Sequence, residues 1–85
     1  MKVSVKAMAA TTALIWGGAV LTVAAVNLLR PRYGQEFLRV VSSIYPGYKA
    51  EATPRQLAVG TAYAVADGAA GGALCAWLYN QFVSD

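Results

Sequence analysis

From Ala7 to Leu29 the chain runs for 23 residues without a charged side chain. As a helix this run is about 35 Å long at 1.5 Å per residue, enough to cross a hydrocarbon core of about 30 Å with modest tilt. Lys2 and Lys6 precede it, Arg30 and Arg32 follow it, and Pro31 marks its end. A cleaved signal peptide is the competing reading, because Val23-Ala24-Ala25 would suit a signal peptidase. The run is longer than an ordinary signal-peptide core of about 7 to 15 residues, which favours a retained span. The rest of the chain points the same way: 58% of its 85 residues are hydrophobic and only 13% are charged. So short a domain cannot hide that much apolar surface from water.

A second uncharged stretch, Leu57 to Tyr79, is also 23 residues long and is interrupted only by Asp67. Thr53 as N-cap, Pro54 at the first helical position and Gln56 three after the cap mark its start. Trp77, Tyr79 and Phe82 gather at its far end, where amphipathic rings suit the headgroup layer. The expected fold is an all-α membrane protein: an antiparallel two-helix transmembrane hairpin with span 1 over 7–29, an amphipathic connector over 30–53 and span 2 over 54–83. Within the connector, Phe37, Val41, Ile44 and Tyr45 recur at helical spacing while Glu36, Arg39, Ser42 and Ser43 lie mostly off that stripe. The pattern predicts a short helix lying along the membrane interface, anchored by Tyr33, Tyr45 and Tyr48. The β-branched Val40, Val41 and Ile44 leave a strand open as the alternative. Tyr45-Pro46-Gly47-Tyr48 reads as a tight turn with Gly47 at positive φ.

Five of the seven basic residues (Arg30, Arg32, Arg39, Lys49 and Arg55) fall in the connector. The excess of basic residues near span ends places the connector in the cytoplasm and both termini outside. It also suits anionic lipid headgroups, and nothing calls for a nucleic-acid partner.

Span 2 carries Gly60, Ala64, Gly68, Gly72 and Ala76, five small residues each four apart. That spacing lets a second backbone approach closely. Ala13 and Gly17 on span 1 offer a matching shallow surface, so these seven residues form the expected helix-packing face. Asp67 lies near mid-span, where an ionised carboxylate costs roughly 2.5 to 3.5 kcal/mol. It is therefore expected to face a packed surface as a hydrogen-bonding group, with Thr22 and Trp16 its nearest polar candidates by depth. A cavity-lining site and a proton-carrying carboxylate are the alternatives. Asn27 and Gln56 are expected to bond across the hairpin, Lys6 to lie near Asn80, Thr61 to cap its own helix, and Cys75 to serve as a small packing residue.

With no His, one Cys, two Asp and two Glu, the chain cannot assemble a His-ligated haem, a Cys/His zinc site or a hydrolase triad by itself. No catalytic residue, metal ligand or cofactor site is expected, and the chain reads as non-enzymatic.

Several segments together (Val3-Ser4-Val5-Lys6-Ala7, Trp16-Gly17, Ile44-Tyr45-Pro46-Gly47-Tyr48, Asp67-Gly68 with Gly71-Gly72, and Ala76-Trp77-Leu78-Tyr79-Asn80) resemble a family of small two-span bacterial membrane proteins. Its members carry the label "bacteriophage holin" or "membrane protein of unknown function". The resemblance implies a bacterial setting and a hairpin retained in the inner membrane. The connector here is longer and more basic than is usual in that family. The residues themselves favour an accessory or assembly subunit that docks on a larger membrane complex through the Gly/Ala face. A holin-like protein that self-associates into lesions and a homo-oligomeric scaffold are the alternatives. The scattered Thr11, Thr12, Thr22 and Asn27 give little continuous polar face to line a lesion.

Overall fold

The computed structural model describes residues 1–83 and contains three α-helices: α1 (Val5–Leu29), α2 (Gln35–Ile44) and α3 (Pro54–Phe82). Local chemistry sets their ends. Ser4 caps α1, its Oγ accepting the Ala7 N–H at 3.1 Å. The Arg30 N–H closes the last turn on the Val26 carbonyl at 2.8 Å, and Pro31 stands next in the chain. Thr53 Oγ1 accepts the Gln56 N–H at 3.2 Å, with Pro54 opening α3. Among the described residues there is no strand, so the β-branched run of the connector yields to the helix.

Of these helices, α1 alone is both long and apolar enough to cross a membrane. At 29 residues α3 is longer, but its glycines, Thr61, Tyr63 and Asp67 lower its hydropathy. The two long helices lie antiparallel along each other, with Val3 beside Asn80, Thr12 beside Gly68 and Gly17 beside Val65. Near the termini the Asn80 side chain clasps the Val3 backbone, accepting its N–H and donating to its carbonyl, each at 2.8 Å. Asn80 thus bonds the Val3 backbone, three residues before the Lys6 expected near it.

The five-residue ladder of α3 is buried along its whole length, opposite a stripe of Ala13, Gly17, Val20, Ala24 and Asn27 on α1. Toward the termini the contact is backbone on backbone. A Cβ on Gly68 would stand 2.6 Å from the Thr12 carbonyl oxygen and 2.9 Å from Ala13 Cα; one on Gly72 would stand 2.7 Å from the Met8 carbonyl oxygen. The close approach lets Thr12 Oγ1 donate across the pair to the Gly68 carbonyl at 2.5 Å.

Toward the connector a third layer joins. α2 does not extend away along the interface plane, as its amphipathic stripe suggested, but folds back into the groove between α1 and α3. Leu38, Val41, Tyr45 and Tyr48 are buried there with Val20, Ala24 and Ala64. The inward face is Leu38, Val41 and Tyr45; Ile44 is 67% exposed and Phe37 sits at the margin, edge-on to Trp16 with ring centroids 5.9 Å apart. Gly34, at φ 65°, starts α2 against Val23. Tyr45 at its other end reaches Trp16, about 10 Å further along α1 at 1.5 Å per residue.

The irregular backbone around α2 is held by polar side chains. Asn27 Nδ2 donates to the Pro31 and Tyr33 carbonyls at 2.9 and 2.8 Å, Gln35 Nε2 to the Ala50 carbonyl at 2.8 Å, and Gln56 Oε1 accepts the Lys49 N–H at 2.7 Å. Asn27 and Gln56 therefore serve the connector rather than each other. Buried non-helical backbone needs its polar groups satisfied within the protein, and these side chains do that.

Candidate functional site

Three sequence segments that lie far apart in the chain meet around one phenol. Tyr45 Oη accepts a hydrogen bond from Trp16 Nε1–H at 2.7 Å and donates to Asp67 Oδ2 at 2.8 Å. Each of the three main elements contributes one member: Trp16 from α1, Tyr45 from the end of α2, Asp67 from the middle of α3. The turn that carries Tyr45 is formed as its sequence indicates. The Tyr48 N–H closes on the Tyr45 carbonyl at 3.2 Å, and Gly47 has φ 85°, the conformation a glycine adopts without Cβ strain. Two further contacts fix the turn on α3. Tyr63 stacks on Tyr45, with centroids 5.1 Å apart and planes 16° apart, and its hydroxyl donates to the Pro46 carbonyl. The Tyr48 ring fills the notch at Gly60, where a Cβ would meet Tyr48 Cε1 at 2.7 Å.

Burial raises the pKa of Tyr45 above that of an ordinary phenol; the Trp16 hydrogen bond works against this and the Asp67 carboxylate adds to it. Burial likewise raises that of Tyr48. Both phenols stay protonated at neutral pH, so Tyr45 remains a donor to Asp67.

Several expected placements change. Tyr45 and Tyr48 are not headgroup anchors; they are 5% and 4% exposed and lock α2 onto the pair. Tyr33, Trp77 and Tyr79 point outward, each about half exposed. The direct partner of Asp67 is Tyr45, with Trp16 one bond further on; exposed Thr22 turns back to the Gly18 carbonyl at 2.7 Å. Asp67 itself is not enclosed. It lies on the exposed flank of α3, where Tyr45 engages Oδ2. Its neighbour one turn on, Gly71, is open, with nothing within 4 Å of a would-be Cβ. Thr61 does not cap its own helix: its Oγ1 is buried without a hydrogen-bond partner among the described residues. Cys75 is exposed rather than packed away.

Two residues carry more than the sequence suggested. Thr12 makes the interhelical hydrogen bond to Gly68, and Asn27, 1% exposed, pins the loop that follows α1. No signal marked Thr12: depth-matching of the two spans sets it opposite residues 71–74, about one turn from Gly68. Among the described residues no three His, Cys, Asp or Glu side chains gather where they could hold a metal ion. No protein-family model, curated protein or solved structure matches this chain.

Proposed function

We propose that this chain is a non-enzymatic integral membrane subunit, in which α1 and α3 cross a bacterial inner membrane as a two-span hairpin and dock on a larger membrane complex. The apolar exterior supports the membrane setting. Leu14 and Ile15 on α1 are 76% and 67% exposed, and Val65, Leu74 and Leu78 continue that exposure on α3. Monomeric proteins in water rarely carry so continuous an apolar surface. The basic residues at the two ends of the connector, Arg30, Arg32, Lys49 and Arg55, support placing those ends on the cytoplasmic side.

The docking surface differs from the one the ladder suggested. Gly60, Ala64, Gly68, Gly72 and Ala76 are already filled from within by Tyr48 and α1. The observation that carries the proposal is Asp67: a mid-helix carboxylate on an outward, otherwise uncharged face. Left against lipid it would cost roughly 2.5 to 3.5 kcal/mol. A neighbouring protein surface that brings a donor removes that cost, and open Gly71 beside it allows close approach. A second copy answers this poorly, because the chain has no Lys or Arg between Lys6 and Arg30 or after Arg55.

Purification in mild detergent tests the reading. The chain is expected to elute with a large complex, and Gly71→Leu or Asp67→Leu to release it as a folded monomer. Elution of the unmodified chain only as copies of itself would contradict the reading and favour a holin-like assembly or a homo-oligomeric scaffold.

A further inference from the structure

The loop between α1 and α2 is a built turn. In Arg30-Pro31-Arg32-Tyr33 the Tyr33 N–H donates to the Arg30 carbonyl at 2.8 Å. From below, the buried Asn27 amide holds the carbonyls of Pro31 and Tyr33. Gly34, at φ 65°, sends the chain straight into α2. A turn fixed at both ends and from beneath holds its side chains over a constant base. Those side chains, Arg30, Pro31, Arg32 and Tyr33, line an open cleft of about 400 Å³.

The cleft is cationic and unneutralised. Among the described residues neither guanidinium has an ion-pair or hydrogen-bond partner, and Glu36, the nearest acid in sequence, is engaged by Arg39 at 3.1 Å. Its flanks are graded in polarity. Leu29, one residue before, is 84% exposed, and Tyr33 is 49% exposed. An exposed aliphatic side chain, two cations and a half-exposed phenol match, in order, acyl chain, phosphate and headgroup layer. Planar guanidinium groups suit phosphate oxygens because two parallel N–H bonds can form to one anion.

We propose that this turn is a binding site for an anionic phospholipid, with Arg30 and Arg32 on the phosphate, Leu29 against the acyl chains and Asn27 as the positioning residue that keeps the two cations together. The site rests on the reading of α1 as a membrane span, which puts the turn at the bilayer boundary. Diffuse attraction to a negative surface would count charges alone; a site also depends on how the turn is held.

The test uses the full chain in detergent, titrated with phosphatidylglycerol, with phosphatidylcholine, and with inorganic phosphate as a competitor, and binding read by native mass spectrometry. The unmodified chain should prefer phosphatidylglycerol. Arg30→Gln with Arg32→Gln should weaken that binding about 25-fold, at roughly fivefold per arginine. Lys49→Gln with Arg55→Gln, which removes the same charge elsewhere in the connector, should weaken it no more than about twofold. Asn27→Leu keeps every charge and should still cost about fivefold, with Pro31→Gly as the second way to loosen the turn if Asn27→Leu lowers helicity. Equal losses from the two double variants, or no loss from either loosened turn, would overturn the site. Displacement of the lipid by millimolar phosphate would overturn the lipid as its ligand. A chain that stays in vesicles through alkaline extraction yet shows no lipid preference would sink this inference and leave the membrane reading standing.

Discussion

The two halves of the α1–α3 pair use one repeating motif in different ways. Toward the termini, Gly68 and Gly72 bring backbone close to backbone, and the obstacles to any added side chain are the Thr12 and Met8 carbonyls and Ala13 Cα, with the Thr12 hydroxyl nearest of all at Gly72. Toward the connector, Gly60 makes room for a ring, and α2 with the turn after it thickens the fold with Leu38, Val41, Tyr45 and Tyr48. A carbonyl held in a helix cannot move aside, whereas a ring can tilt by a few tenths of an ångström. Identical spacing in sequence therefore hides unequal tolerance, and substitutions along the ladder separate the halves.

The largest effect is expected at Gly68→Leu and Gly72→Leu. Each drives a side chain into fixed backbone, and we expect a loss of about 3 kcal/mol, the upper range for overpacking, with α1 and α3 separating in a detergent unfolding titration. Gly60→Leu should be milder in global stability and should act on the connector, raising hydrogen exchange in α2 while the terminal half stays protected. Equal losses at Gly60 and Gly68 would erase the distinction between the halves.

Tyr48→Ala comes next. It removes a buried ring from the connector half only, and large-to-small changes at buried aromatics cost about 3 kcal/mol or more in a well-packed core. Because Tyr48 lies at the rim of a three-helix layer, the loss should appear as local release of residues 35–50, seen as faster exchange or proteolysis there.

The origin of that layer shows what could be read from the chain. The end of α1 and the start of α3 were legible because Thr and Pro act on their nearest neighbours: Thr53 and Pro54 start α3 where their spacing indicated, whereas the Ser4 cap of α1 was not read. The ladder was legible as a packing face because its period matches one side of a helix. The direction of α2 was not. It has apolar residues on two faces, Leu38–Val41–Tyr45 and Phe37–Val40–Ile44, so its period did not say which face turns inward. With α2 placed outside the pair, depth-matching could search for a partner of Asp67 only on α1, and it found Thr22 and Trp16. The actual donor comes from a turn 22 residues away, which local rules do not position. Exposure of Asp67 was equally hidden, because the ladder winds around α3 and Asp67 stands one residue, about 100° of helix, from its Gly68 rung.

Smaller effects sharpen the comparison. Thr12→Val keeps volume and removes the hydroxyl that bonds the Gly68 carbonyl. It should cost about 1 kcal/mol, the scale of interhelical hydrogen bonds in membranes, and a thermal melt in detergent can read it. Smallest of all is Gly71→Ala, where nothing lies within 4 Å of the new Cβ. Fold stability should stay level or rise by up to about 1 kcal/mol, since alanine suits a helix better than glycine. A clear loss there would mean that the outer face of α3 already packs against something within the fold.

The convergence of Trp16, Tyr45 and Asp67 holds the connector half together, and a double-mutant cycle tests it most directly. Tyr45→Phe, Asp67→Leu and the double variant are compared by reversible unfolding in detergent. If Tyr45 donates to Asp67 in the folded protein, the double variant should lose less than the sum of the single losses, by about 1 kcal/mol. Additive losses, with no coupling between the two positions, would contradict the docking of the turn on α3.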